Sequence, residues 1–392
     1  MRVLHVIPAV GPSYGGPSRA IVGMTESLAA RGVVVEVATT DRDGPARLPV
    51  RLGEGVRRGN VLYHFFRTMP SGEWKLSLSL AHWLRSNAAS YDLVHVHGMF
   101  SFSTIPACRT ARGCGIPYVL RPLGTLTPAS LGFRSWKKRP YFALVERTHL
   151  EGAAAIHVTS PQEEEAVRAL GFGDRTRLVP LGVETPAIHR EAERDAAATI
   201  RFLFLGRLHP IKQLPLLLEA FALAARSGSA NVELVIVGGG HPAYRRELEE
   251  VASTFGVSRR VHFTGEVSQS ATHELFGAAD VFVLPSRTEN FGLAAAEALG
   301  AGLPVIVTEQ VGLAHDITSA QAGRVVQPTA SALASAIREL AEDASLRARM
   351  SVNARRLADE RYSWSRSADA LIEVYDDLLD EHWRHRRLAG AS

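Results

Sequence analysis

The sequence predicts an α/β protein built from two doubly wound parallel-sheet domains, and three observations carry that prediction. At 392 residues the chain is about twice an ordinary domain, long enough to bury two separate cores. Its first forty residues read as strand, loop, helix and strand: RVLHVIPAV, the Gly-rich turn GPSYGGPS, a helix-periodic stretch from Arg19 to Arg31, then VVVEVATT after Gly32. The same grammar restarts near residue 200 with IRFLFLG and continues through VELVIVGGG, RVHFTG, VFVLPS and LPVIVT, each followed by helix-forming sequence. We place an N-terminal domain at 1–185, a linker at 186–199, a C-terminal domain at 200–360 and a closing segment at 361–392.

Further strand cues in the first half are Leu93 to His97, Ile116 to Leu120, AAIHVTS and RLVPLGV, with helices at Ser103 to Gly113, up to Glu151, and over PQEEEAVRALG. PAIHREAERDAAAT is polar and shows no buried pattern, which marks the linker. In the second half helices are predicted over Leu214 to Ser227, Tyr244 to Phe255, Ser270 to Ala278 and Ser331 to Ala344. A final helix spans Ser363 to Leu379, and the tail HWRHRRLAGAS is predicted to lack structure.

Composition excludes several classes. Lys plus Arg exceed Asp plus Glu by 44 to 40, a net charge of +4, without the dense basic stripe that duplex nucleic acid would require. Two cysteines, Cys108 and Cys114, cannot make a disulfide framework and fit a reducing compartment. No run of about 18 uncharged apolar residues is present, and Met1 to Val10 is broken too early for a signal peptide. A cytoplasmic protein is expected, at most peripheral on the inner face of the plasma membrane. The stretch Arg134 to Arg139 mixes cations with Phe133, Trp136 and Tyr141, which suits anionic lipid headgroups and equally suits a solvated helix face.

The densest chemistry lies in Arg287 to Thr308, RTENFGLAAAEALGAGLPVIVT. A helix starting near Phe291 or Gly292 points free N–H groups and its positive dipole end at the preceding strand's carboxyl edge, an anion site. Glu289 stands just before it and Glu297 about a turn inside, so two carboxylates are offered to hydroxyls of one ligand. Upstream, Arg207 and Lys212 follow IRFLFLG and can reach one diphosphate, Arg as a fork and Lys as a point charge. Gly238, Gly239 and Gly240 permit close backbone approach, and Thr264 with Gly265 offers backbone groups to a planar base. Gly15 and Gly16 open a helix as a second cradle, without the G-x-G-x-x-G spacing of a dinucleotide fingerprint. His95 and His97 alternate on a strand and face one side. No third ligand is evident, so core placement or hydrogen bonding is preferred to a metal site.

Taken together these residues resemble the retaining glycosyltransferases of family 4, which have the GT-B fold, with two Rossmann-like domains facing a central cleft. The resemblance rests on Glu289-Asn290-Phe291-Gly292-Leu293-Ala294-Ala295-Ala296-Glu297 as the family's E-x7-E, on Gly206-Arg207-Leu208 with Lys212, on the loop GGPSRA, and on the order of the two halves. It implies that Arg207 and Lys212 hold the diphosphate of a UDP- or GDP-linked sugar and stabilise the leaving nucleotide. The backbone at Phe291, Gly292 and Leu293 would complete that cradle, with Gly206, Gly239, Thr264, Gly265 and Asn290 lining the donor. Glu289 would bind sugar hydroxyls, Glu297 the ribose, and Gly15-Gly16 would approach from the opposite domain.

The resemblance further implies no metal and no cofactor beyond the donor, a front-face reaction with retained configuration, and a saccharide or lipid-linked saccharide as acceptor in polysaccharide or glycoconjugate biosynthesis. Two positions depart from the family. Gln213 stands where Lys-Gly is common, and Leu123 stands between Pro122 and Gly124 where many members carry a histidine; His97 is taken as its catalytic substitute. The alternatives are a nucleotide-sugar epimerase of the same fold and a non-catalytic nucleotide-sugar-binding partner, neither of which needs an acceptor.

Overall fold

A computed structural model describes residues 1–70, 72–132, 135–184, 199–228 and 230–389. All of the proposed linker except Thr199 therefore lies outside the described residues, as do Phe133 and Arg134 of the basic aromatic stretch. The chain divides into two compact units, Met1–Gly182 with Trp364–Ser392, and Val183–Ser363.

The first unit holds strands β1 (Arg2–Val6), β2 (Val34–Thr40), β3 (Arg42–Asp43), β4 (Ala46–Arg47), β5 (Gly55–Arg58), β6 (Val61–Phe66), β7 (Leu93–His97), β8 (Tyr118–Arg121), β9 (Ala155–Val158) and β10 (Thr176–Leu178). Eight of them form one sheet in the order β10-β9-β8-β7-β1-β2-β6-β5, parallel except for the β5–β6 hairpin. The hairpin and the helix Leu78–Asn87 were missed in the sequence. β6 alternates its exposure only weakly, and β5, GVRR, carries almost no apolar signal.

Strand alternation gives the sheet two unlike faces. Leu4, Val6, Val94, Val96, Leu120, Ile156 and Val158 enter one apolar core. Their neighbours His5, His95, His97, Arg121 and His157 point the other way, with His5 opposite His95 and His97 opposite Arg121 in register. The terminal helix, Trp364–Ala389, covers this polar face through buried Tyr375, whose hydroxyl donates to His95 Nδ1 at 2.6 Å. It also packs on the helix Gly16–Ala29, where Arg31 pairs with Asp369.

A Cβ at Gly23 would lie 2.2 Å from the Trp364 indole and one at Gly182 2.4 Å from it, so two glycines make the slot this side chain fills. The helix runs to Ala389, through most of the tail expected to lack structure. No Pro or Gly interrupts Glu381 to Leu388, and apart from histidine and tryptophan the stretch is made of strong helix formers. Among the described residues no helix is long and apolar enough to cross a membrane.

The second unit holds β11 (Ile200–Leu205), β12 (Val232–Val237), β13 (Val261–Gly265), β14 (Val281–Leu284), β15 (Val305–Thr308) and β16 (Gly323–Val326), all parallel in the order β13-β12-β11-β14-β15-β16. The chain winds outward from β11 in one direction and, beginning at β14, in the other. β11 and β14 therefore flank the topological switch point, where a doubly wound sheet opens a crevice at its carboxyl edge.

Candidate active site

Both segments singled out in the second half emerge at that crevice. Arg207 and Lys212 follow β11, and Arg287 to Leu293 follow β14. The two loops are joined by the backbone bond from Arg287 N to Ile211 O at 2.8 Å. A short 3₁₀ turn, Pro210–Lys212, capped by His209 Nδ1 accepting from Ile211 N at 3.2 Å, turns Lys212 toward β14. Lys212 Nζ meets Glu289 Oε1 directly, and Ser286 Oγ donates to the same oxygen at 2.8 Å. Glu289 is fixed from behind as well, its N–H donating to Gln310 O at 3.0 Å and its carbonyl accepting from Gly312 N at 3.0 Å.

Arg207 is exposed and, among the described residues, makes no hydrogen bond or ion pair of its own, which leaves its fork free for a ligand. Burial, with the charges of Arg207 and Lys212, holds His209 below the usual histidine range. It therefore adds no third positive charge at neutral pH.

Gly292, at φ +96°, caps the helix Leu293–Gly300, and the first backbone bond into it is Ala295 N to Gly292 O at 2.8 Å. The N–H groups of Leu293 and Ala294 precede that bond and stand at the positive end of the helix. Phe291 is buried edge-on against Tyr362 with ring centroids 5.5 Å apart, which anchors the loop, while Asn290 and Glu297 are half-buried. The pairing of Lys212 with Glu289 was not foreseen, because sequence spacing put them on different loops. Only the adjacency of β11 and β14 brings them together.

The glycines after β12 and β13 bind the neighbouring loops into one layer. Gly206 N donates to Val237 O, Leu208 N to Gly239 O and Gly238 N to Gly265 O, at 2.9, 2.7 and 2.9 Å. Thr264 is exposed beside Gly265, at φ +78°. Gly238 has φ +142°, and a Cβ there would lie 1.9 Å from Gly206 O. Gly238→Ala is expected to destabilise the second unit by about 2–4 kcal/mol, since backbone must move; scanning calorimetry should show its transition shifted down while the first unit's transition stays in place.

In the first unit Gly15, at φ +63°, precedes the helix Gly16–Ala29, and nothing lies within 4 Å of its Cβ position. The loop is held by Ser18 Oγ donating to Gly11 O at 2.8 Å. His97 is fully buried, its Nε2 2.9 Å from His5 Nδ1. Packed among imidazoles, it does not present a nitrogen at the surface, so this geometry lends no support to the catalytic role expected of it from the sequence. The third member of an imidazole group, not evident in the sequence, is His5 from β1.

Both departures from the family pattern carry left-handed backbone: Gln213 has φ +51° and Leu123 φ +60°. Each holds a conformation that costs a non-glycine residue roughly 1–2 kcal/mol. Leu123 adjoins Gly98, whose Cβ position lies 3.7 Å from Leu123 Cδ1.

Two doubly wound sheets, one with cations, a carboxylate and a helix N-terminus gathered at its switch point, define a class of α/β protein whose crevice is suited to an anionic ligand. Comparison with known proteins makes this specific. The family model described as Glycosyl transferases group 1 matches residues 188–357, and that described as Glycosyl transferase 4-like domain matches residues 15–182. The chain belongs to this family and has its GT-B fold. It is a glycosyltransferase, moving a sugar from a nucleotide sugar to an acceptor.

Among curated relatives it is 30% identical to the D-inositol 3-phosphate glycosyltransferase of Streptomyces scabiei, over 98% of this chain and 92% of that one. It is 28% identical to the Corynebacterium jeikeium protein of the same description, over 100% and 99%. Solved structures share the fold: sucrose-phosphate synthase from Thermosynechococcus elongatus, with TM-score 0.76, 23% identity and full coverage of both chains, and Anabaena HepE in complex with UDP and glucose, with TM-score 0.75, 19% identity and 96% and 100% coverage.

Proposed function

We propose that the protein is a metal-independent, retaining hexosyltransferase that takes its sugar from a UDP- or GDP-linked donor and delivers it to a saccharide or lipid-linked saccharide in glycoconjugate synthesis. The observation that carries the reading is the convergence of Arg207, Lys212 and Glu289 at the β11–β14 switch point beside the start of the helix Leu293–Gly300. A diphosphate there receives two cations and a helix end, the charge a metal would otherwise supply. Glu289 Oε1 is engaged by Lys212 and Ser286, and Oε2 remains to accept from a sugar hydroxyl. Glu297 is assigned to the ribose, and Gly206, Gly239, Thr264, Gly265 and Asn290 to the rest of the donor.

In this reading neither carboxylate attacks carbon. The departing phosphate takes the acceptor's proton while Arg207 and Lys212 stabilise the growing charge. On the acceptor side, Trp136 and Leu144 are 74% and 77% exposed near exposed Arg139, which supports approach to an anionic membrane surface. UDP- and GDP-sugars should be screened for thermal stabilisation of the full chain. At one hundred times the dissociation constant a ligand bound only by the folded state adds about 2.7 kcal/mol. A clear rise in melting temperature with one base and one sugar is expected, and no response to any donor would count against the reading.

A further inference from the structure

The polar face of the first unit's sheet contains a charge that the protein leaves unanswered. Arg121, at the end of β8, is 3% exposed, and its Nε has no hydrogen-bond partner. Among the described residues no carboxylate pairs with it. Glu163 acts on it through space, but its oxygens already accept from Gly124 N, Thr159 N and Thr159 Oγ1 at 2.6, 2.9 and 3.2 Å. Of the Arg121 guanidinium, Nε is enclosed without a partner, and an unpaired charge this far from bulk water is costly, so a ligand of opposite charge would be favoured there.

Three more orphaned polar atoms lie on the same face, all in fully buried side chains: His5 Nε2, His97 Nδ1 and Thr39 Oγ1. His97 stands opposite Arg121 in the β7–β8 register, and His5 Nδ1 shares one proton with His97 Nε2 at 2.9 Å. Whichever of the two donates, one outer nitrogen of the pair carries a free N–H: His5 Nε2 if His97 donates, His97 Nδ1 if His5 does.

Two ligand chemistries fit a group of imidazoles. Nitrogens of His5, His95 and His97 lie within 4.8 Å of one another, which suggests a metal ion. Two facts oppose it. His95 is already occupied, its Nδ1 accepting from Tyr375 at 2.6 Å and its Nε2 facing His157 Nδ1 at 3.3 Å; the relay ends where His157 Nε2 donates to Val179 O at 2.9 Å. A dication would also sit beside the Arg121 charge with no carboxylate in the group. An anion reverses the sign of that interaction.

We infer that the first unit carries an oxyanion site at the carboxyl end of β8, where the Arg121 guanidinium and the outer N–H of the His5–His97 pair take a phosphoryl group. Free phosphate and the phosphoryl group of a sugar phosphate offer the same oxygens to it. Every residue of the site lies in the first unit, so the inference stands or falls separately from the donor reading.

The test uses the full chain with Arg207→Ala and Lys212→Ala, which removes the phosphate-binding cations of the second unit, in phosphate-free buffer. All five tryptophans, Trp74, Trp83, Trp136, Trp364 and Trp383, fall in the first unit, so tryptophan fluorescence reports its melting alone. Inorganic phosphate should raise that melting temperature saturably. Adding Arg121→Met should raise it without phosphate, because an unpaired buried charge is removed, and should weaken the phosphate response at least tenfold. His97→Gln should weaken the response while the fold persists, and Arg121→Lys should retain part of it.

A sugar phosphate that displaces inorganic phosphate identifies the site as one for a phosphorylated substrate; rejection of the sugar phosphate identifies a free-ion site. The inference is overturned if phosphate has no effect at tens of millimolar, if Arg121→Met keeps the full response, or if Arg121→Met melts lower without phosphate, which would mean that Glu163 already satisfies the arginine. Stoichiometric zinc that His5→Gln removes would overturn it in favour of a metal.

Discussion

Lys212→Ala and Glu289→Gln should each lower sugar transfer by about 10²- to 10³-fold, the scale on which a preorganised charge contact at a reacting centre acts. The two side chains meet in the ligand-free protein, at 18% and 20% exposure, and share Glu289 Oε1 with the Ser286 hydroxyl. A pair this close to solvent contributes only about 1 kcal/mol to stability. The far-UV spectrum and melting temperature of either variant should therefore stay near those of the parent while turnover collapses. Lys212→Ala should weaken nucleoside diphosphate binding, whereas Glu289→Gln should leave it nearly intact and lose sugar discrimination. Near-normal turnover by both variants would remove the basis for placing the reaction here.

The second large effect concerns acid. Burial, reinforced by the charge of Arg121, pushes His5 and His157 down to about 3, and burial with neighbouring imidazoles lowers His95 and His97 well below their usual range. Below pH 6.5 the unfolded chain binds protons at these positions and the folded chain does not. Their contribution to stability is complete above pH 6.5 and drains as the pH falls toward 3. At about 1.4 kcal/mol per pH unit, pH 5 costs on the order of 2 kcal/mol for His5 and for His157, and His95 and His97 act in the same direction. Denaturant midpoints followed by tryptophan fluorescence in phosphate-free buffer should fall steeply between pH 7 and pH 5. A midpoint that does not move across that range would show that the imidazoles are charged or solvated in the folded unit.

The parts of this architecture that follow from local pattern were legible in the sequence. VFVLPS, IRFLFLG and LPVIVT are short apolar runs bounded by a Pro or a Gly, and each holds a strand of the second sheet. The start of the helix Leu293–Gly300 was visible because Gly292 stands immediately before a run of strong helix formers. What depends on strand order was not visible. Lys212 reaches Glu289 only because β11 neighbours β14, and His5 joins His95 and His97 only because β1 neighbours β7. Arg121 gave no signal at all, since a lone arginine at a strand end looks solvent-exposed until the helix Trp364–Ala389 is laid over that face. The helical tail was misjudged by weighing its place at a chain end above its helix propensity.

Left-handed Gln213 and Leu123 have a related lesson. Both stand where the family pattern favours another residue, and both retain backbone angles that glycine holds at no cost. Neither residue is a glycine, so the packing around the loops after β11 and β8 has to hold these angles.

A crystal structure of the full chain with a nucleoside diphosphate tests the central claim most directly. The account predicts the diphosphate between Arg207 and Lys212, at the N-terminus of the helix Leu293–Gly300, with Lys212 turned from Glu289 toward phosphate oxygen. Density for the diphosphate away from the β11–β14 edge, with the Lys212–Glu289 contact undisturbed, would contradict it.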